Sequence, residues 1–119
     1  LTGHSKAVNT LAISPSGQTL VSGSDDRTIK LWNIFNGNQL RTLTDHSRDV
    51  SSVAISPDGQ TLASGSEDRT IKLWKLTSGN LRGTLLSPAG MIKSVALSAN
   101  GLILASGGLD HQIKVWSLE

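Results

Sequence analysis

The chain has 119 residues, eleven basic against nine acidic, so its net charge of +2 marks neither nucleic acid nor an acidic surface as a partner. The absence of cysteine excludes a disulfide framework and a thiolate metal site and leaves the redox compartment open. No apolar run of about 18 residues is present to span a membrane, and no charged, then apolar leader is visible, so the compartment stays open with the cytoplasm favoured. Residues 8–13 (VNTLAI) are short, apolar and β-branched, and predict a first strand. Ser14-Pro15-Ser16-Gly17 follows, with Pro15 presetting φ and Gly17 free to take positive φ, so a hairpin leads into a second strand at 18–23. The polar turn Ser24-Asp25-Asp26-Arg27 precedes a third strand at 28–32. The Asn36-Gly37 pair then turns the chain into a fourth strand near 39–43.

This pattern repeats. Trp32, Trp74 and Trp116 are 42 residues apart, and Ser22, Ser64 and Ser106 keep step with Asp26, Asp68 and Asp110. Ser56-Pro57-Asp58-Gly59 echoes the first turn, Ser98-Ala99-Asn100-Gly101 echoes it again without proline, and Ser78-Gly79 echoes Asn36-Gly37. Repeats of this length cannot bury their apolar faces alone and stack on one another. The whole chain, 1–119, therefore reads as one array of units 1–44, 45–86 and 87–119. The fold class is all-β, with four-stranded antiparallel meanders and eleven strands in total, the last unit having three. No segment keeps a helical apolar period.

Three in-register copies of Ser-Gly-x-x-Asp with a tryptophan six residues on, two of them Ser-Gly-Ser-x-Asp-Arg-Thr-Ile-Lys-Leu-Trp preceded by a histidine, resemble the WD-repeat family of β-propellers. The likeness covers the whole chain, although Asn33, Lys75 and Ser117 stand where the family often has aspartate. It implies a structural hydrogen-bond chain in each blade: Trp32 to Ser22 to His4 to Asp26, and Trp74 to Ser64 to His46 to Asp68. Donor-only indole, two-way hydroxyl and imidazole, and acceptor-only carboxylate satisfy one another in that order. The third unit keeps Ser106, Asp110 and Trp116 but has Pro88 in place of the histidine, Leu109 for the acidic Asp25 and Glu67, and His111 for Arg27 and Arg69. Asp110 is then expected to turn to backbone amides, in the least tightly held blade.

Ser22, His4 and Asp26 have the residue types of a hydrolase triad. However, Val21-Ser22-Gly23-Ser24 is no nucleophile elbow, and the set recurs as a packing element would. No catalytic residue is expected. His4, His46 and His111 sit in separate units and suggest no metal site; no cofactor is implied. Lys30, Lys72 and Lys114 read as stems beside apolar neighbours rather than a phosphate-binding row.

The resemblance further implies partner docking on the disc face formed by the first-strand entry and the turn before the signature aspartate. By register this face is Ala7, Asn9 and Asp25, then Asp49, Ser51 and Glu67, then Met91, Lys93 and Leu109. A protein or peptide with a basic patch beside an apolar anchor suits it. The expected function is a non-enzymatic protein-interaction scaffold, with no nucleic acid or membrane partner. The alternative is an oligomerisation module. Propellers close with 4–8 blades, so three blades need either further blades of a longer parent chain, which the start at Leu1 suggests, or other copies; two copies make six.

Overall fold

A computed structural model describes residues 1–87 and 90–118. The strands are β1 (Val8–Ile13), β2 (Thr19–Ser24), β3 (Ile29–Asn33), β4 (Gln39–Leu43), β5 (Val50–Ile55), β6 (Thr61–Ser66), β7 (Thr70–Lys75), β8 (Leu81–Leu86), β9 (Ile92–Leu97), β10 (Ile103–Gly108) and β11 (Ile113–Ser117). They form three separate antiparallel sheets, β1-β2-β3-β4, β5-β6-β7-β8 and β9-β10-β11. Each strand pairs with its neighbour in sequence, so each 42-residue unit is a meander, and every described strand has its expected counterpart.

Turn chemistry sets the hairpins. Ser14 O accepts from Gly17 N at 2.9 Å, Ser14 N donates to Thr19 O at 2.9 Å, and Gly17 has φ 74°. The turns at Ser56–Gly59 and Ser98–Gly101 repeat this geometry, with φ 73° and 72° at their glycines. The third turn closes without proline because Asn100 Oδ1 accepts from Leu102 N at 3.0 Å, as Asp58 Oδ1 does from Gln60 N at 2.9 Å. The Asn36-Gly37 connection differs from the two-residue mirror turn that such pairs often make. Asn33 N donates to Asn38 O and Gly37 N to Asn33 O, both at 2.9 Å, and of the pair only Gly37 takes positive φ, giving a four-residue loop. The second and third strands start one residue later in the first unit than the pattern suggested. There Thr28 gives its amide to Asp26 Oδ1 at 2.9 Å and stays in the turn.

The core lies between the sheets. Val21, Ile29, Leu31 and Leu43 of the first sheet pack on Val50, Val53, Leu62, Trp74 and Leu76 of the second. Ala63 and Ile71 of the second pack on Ile92, Val95 and Leu104 of the third, with Leu73, Leu85, Trp116 and Leu118 around them. Across each junction β5 lies beside β1 and β2, and β9 beside β5 and β6. Hydrogen bonds join the junctions too: Val53 N donates to Thr10 Oγ1 and Val95 N to Ser52 Oγ, both at 3.2 Å.

Two glycines let the sheets approach. A Cβ on Gly23 would lie 2.7 Å from Val50 Cγ1 and from Thr10 Cγ2; one on Gly65 would lie 2.5 Å from Ile92 Cγ2. These are β-branched neighbours with little rotamer freedom. Gly65→Ala should therefore cost about 1–3 kcal/mol by overpacking the second junction, read as a lower urea midpoint with unchanged strand content. A stability within experimental error of the parent would show that the junction has slack.

Candidate functional site: the blade clamps and the rim

Two clamps repeat almost atom for atom. In the first sheet Trp32 Nε1 donates to Ser22 Oγ at 2.9 Å, Ser22 Oγ lies 2.6 Å from His4 Nε2, and His4 Nδ1 lies 2.9 Å from Asp26 Oδ2. In the second, Trp74 Nε1 reaches Ser64 Oγ at 2.9 Å, Ser64 Oγ is 2.7 Å from His46 Nε2, and His46 Nδ1 is 2.8 Å from Asp68 Oδ2. The carboxylate only accepts, so the imidazole carries its proton on Nδ1 and gives it to the aspartate, and Nε2 accepts from the serine hydroxyl, which itself takes the indole proton. Each imidazole stands edge-on to its tryptophan, with centroids 6.2 and 6.4 Å apart.

The aspartates hold more than the histidines. Ser5 N and Thr28 N donate to Asp26, at 3.1 and 2.9 Å, and the Thr28 hydroxyl also donates to it. Ser47, Thr70 and the Thr70 hydroxyl do the same for Asp68. Burial raises the pKa of the Asp26 carboxyl, but the Thr28 hydroxyl, His4 and the two amides outweigh it and hold the group well below the usual carboxylate range. At Asp68 burial is likewise outweighed, by His46, Thr70 and the Ser47 amide.

Sequence reasoning missed two serines and two threonines in these clamps. Ser24 and Ser66 are fully buried, and each hydroxyl donates at 2.8 Å to the carbonyl that precedes the first strand, Ala7 O or Asp49 O. Each also accepts the amide of the clamp aspartate at 3.0 Å. The signal was present in the repeat: Ser24 and Ser66, with Thr28 and Thr70, recur at the period and fail together in the third unit, as Gly108 and Gln112. Arg27, Arg69 and His111, at φ 74°, 71° and 65°, were not legible as left-handed positions, because that region favours glycine or asparagine.

The third sheet is held differently. Trp116 Nε1 reaches Ser106 Oγ at 3.2 Å. Asp110 accepts from the backbone amide of Gln112 at 3.1 Å and from Lys114 Nζ at 3.3 Å, and these contacts lower its pKa, the amide most. Lys114 Nζ donates to the aspartate where the other blades use an imidazole N–H. The expectation resting on Pro88 lies outside the described residues. The other lysines of the row stay within their own repeat units: Lys30 Nζ bonds Thr42 at 3.0 Å, and the buried Lys72 reaches Thr84 at 3.2 Å and Asp45 at 3.1 Å.

These contacts define what the residues can do chemically. Ser22 and Ser64 are buried, with their oxygens committed to indole protons, and neither presents a nucleophile. Among the described residues no three His, Asp or Glu side chains converge as metal ligands would.

The nine rim residues are brought together along one edge. Backbone bonds clamp them in pairs: Asp25 N to Ala7 O and Glu67 N to Asp49 O at 3.0 Å, and Leu109 N to Met91 O at 3.2 Å. Asn9, Ser51 and Lys93 are the extra residues of β-bulges, since the ladder steps from Val8 to Thr10, from Val50 to Ser52, and from Ile92 to Ser94. A bulge re-aims its side chain, and here it aims toward a neighbouring blade. Asn9 Nδ2 donates to Asp25 Oδ1 and, at 3.1 Å, to Val50 O; Ser51 Oγ donates to Ile92 O; Lys93 reaches back to Glu67 Oε1 at 3.1 Å. Asn9 and Ser51 thus spend their donors within the protein. Asp49 sits against Asp25, and burial, that neighbouring carboxylate and Glu67 raise its pKa, with Lys6 partly offsetting them. Asp25, Asp49 and Glu67 form the acidic stretch of the rim, and exposed Leu109 with half-buried Met91 forms its apolar end.

Three face-stacked antiparallel meanders, of four, four and three strands, the first two carrying this clamp, are blades of a β-propeller. The WD40 family (WD domain, G-beta repeat) matches residues 1–33, 37–75 and 79–117, and the chain belongs to it. It is 46% identical over 41 residues to the ribosome biogenesis protein BOP1 homolog of Drosophila melanogaster, covering 34% of this chain and 5% of that protein. It is 50% identical over 42 residues to FIZZY-RELATED 3 of Arabidopsis thaliana, covering 35% of this chain and 9% of that protein. The chain thus spans less than a tenth of those relatives. The solved structure of U3-55K superposes with a TM-score of 0.95 at 27% identity, covering 99% of this chain and 38% of that one.

Two predictions follow from the clamp. His46→Ala leaves the buried Ser64 hydroxyl and Asp68 carboxylate each short of a partner, and should cost about 1–3 kcal/mol in urea unfolding. Because the folded pKa values of Asp26 and Asp68 are depressed, the stability they contribute is complete above the ordinary carboxylate pKa of about 4 and drains away as pH falls below it. The stability gap between the parent and Asp68→Asn should accordingly narrow from pH 7 to pH 3. A constant gap would mean that the Asp68 charge plays no part.

Proposed function

We propose that this chain is a non-enzymatic scaffold that docks a protein or peptide on its rim. The observation that carries the reading is the contrast between frame and edge. Clamp residues are the same in the first two blades, while the rim positions beside them change chemistry from blade to blade: Ala7, Asp49 and Met91 at one register, Asp25, Glu67 and Leu109 at the other. The paired backbone bonds hold these positions in place whatever the side chain, so identity can vary without moving the edge. Such a rim presents carboxylates over two blades and an apolar patch over the third, which fits a segment with lysine or arginine beside a large apolar side chain. Carboxylates in this row argue against nucleic acid as its occupant.

Membership of WD40 supports the reading, and one of the similar proteins, the BOP1 homolog of Drosophila melanogaster, is named as a ribosome biogenesis protein. The test uses a synthetic peptide array that pairs one to three basic residues with a single aromatic or leucine. Binding, followed by fluorescence anisotropy, should be lost with Asp25→Lys/Glu67→Lys and weakened by added salt. Affinity unchanged in the charge-reversed protein would remove the rim from consideration.

A further inference from the structure

We infer that the groove between the first two blades, at the strand ends away from the rim, binds an extended peptide in which an acidic residue stands beside a large apolar side chain. This goes beyond the rim reading and does not depend on it. The rim lies where β2 turns into β3. The groove lies at the opposite strand ends, between the turns Ser14–Gly17 and Ser56–Gly59. Both blades that form it have all four strands.

The groove holds about 490 Å³, a size common among ligand sites, which are largely apolar with a few fixed polar groups. Leu31 and Leu76 line it from the core, 3% and 8% exposed, and Leu40 adds apolar surface that is 51% exposed. The serines of its first turn are committed: Ser14 Oγ and Ser16 Oγ are 3.0 Å apart, and Ser14 Oγ accepts from Thr19 N at 3.1 Å. Arg41 is not. Its Nη2 donates to Thr77 O across the junction at 3.3 Å, and among the described residues no carboxylate lies within ion-pair distance of it. A guanidinium has five N–H donors, so most of its capacity is left for a ligand.

Two features hold that guanidinium in place. Thr77 O fixes its tip, and Gly79, with φ 75°, leaves room for its stem: a Cβ there would lie 3.0 Å from Arg41 Cδ. The second junction lacks the cation at this register. Gly83 stands opposite Leu73 as Arg41 stands opposite Leu31, and the neighbouring Arg82 turns its Nη1 to Thr61 Oγ1 at 3.1 Å. Asp58 also lines the groove, but its charge is already met. The Ser56 hydroxyl and the Gln60 amide lower its pKa, and the charge of Arg82 adds to them. The unmet charge of the groove is therefore positive and lies beside leucines. A carboxylate can take a guanidinium by two parallel hydrogen bonds, whereas a basic segment would set its cation against Arg41.

The test uses short fluorescein-labelled peptides, glycine and serine throughout except for one leucine or phenylalanine flanked by aspartate or glutamate. Their binding to the whole 119-residue chain is followed by anisotropy. Arg41→Gln should weaken it about 10-fold and Leu40→Gln by a similar factor. Both side chains are exposed, so the circular dichroism spectrum should not change. Asp25→Asn/Glu67→Gln should leave the affinity as it is, which separates a failure here from a failure of the rim. No binding of any acidic peptide, or equal affinity in Arg41→Gln, would overturn the proposal. Affinity lost in Asp25→Asn/Glu67→Gln would move the acidic peptide to the rim and overturn it as well. In that same variant, tighter binding of lysine-substituted peptides would assign the groove to Asp58 and overturn the acidic partner.

Discussion

The structure depends on one constraint: no blade buries its own apolar residues. A single meander has two apolar faces and no interior, so Val21 and Ile29 are dry only because Val50 and Val53 stand against them. The burial of a typical core side chain is worth about 1.5–3 kcal/mol, and here nearly all of it is earned between sheets rather than within one. The absence of side chains at Gly23 and Gly65 sets how near two sheets can come. Strand pairing within a blade is local and sequential, but its contribution is secured only after stacking has occurred.

The polar clamp answers a second problem created by the first. Close stacking buries the tryptophan of the third strand and with it an indole N–H that needs an acceptor. Ser22 and Ser64 supply it, and the imidazole and carboxylate carry the chain of donors out to the turn, where Asp26 and Asp68 fasten the loop before the first strand. Ser24 and Ser66 fasten the same loop from the other side. Clamp and rim are consequently one construction: the backbone bonds that present Asp25 beside Ala7, and Glu67 beside Asp49, are extensions of the network that satisfies the tryptophans. In the third blade Gly108 and Gln112 stand where the others have serine and threonine, Lys114 Nζ rather than an imidazole reaches the aspartate, and the indole bond is longer.

Period and turn chemistry made the architecture legible before any coordinates. The Ser-Pro-x-Gly turns and the tryptophan spacing are local signals, and they located the four strands of the first unit to within a residue and gave the total of eleven. The clamp was readable because the family resemblance implies its order, and the donor and acceptor capacities of its four residue types satisfy that order. Ser24 and Thr28 were harder, because a serine or threonine in a polar turn reads as solvated, and only burial shows otherwise. The contacts of Asn9 and Ser51 were hidden for a related reason. Their register puts them on the rim, but the bulge turns their donors toward the neighbouring blade, and a bulge depends on how two strands pair, not on either strand's sequence.

The close approach at Gly23 and Gly65 also bears on how such molecules grow. Because Gly23 and Gly65 receive Val50 and Ile92 in closely similar ways, the apolar part of the junction distinguishes the blades little, and their order rests largely on chain connectivity. A gene that copies one 42-residue unit in frame adds a blade whose two faces already fit its neighbours, with no new interface to evolve. Lengthening by duplication is thus nearly free in structural terms, and diversity can accumulate afterwards at the edge, where Asp49 and Met91 have already parted company.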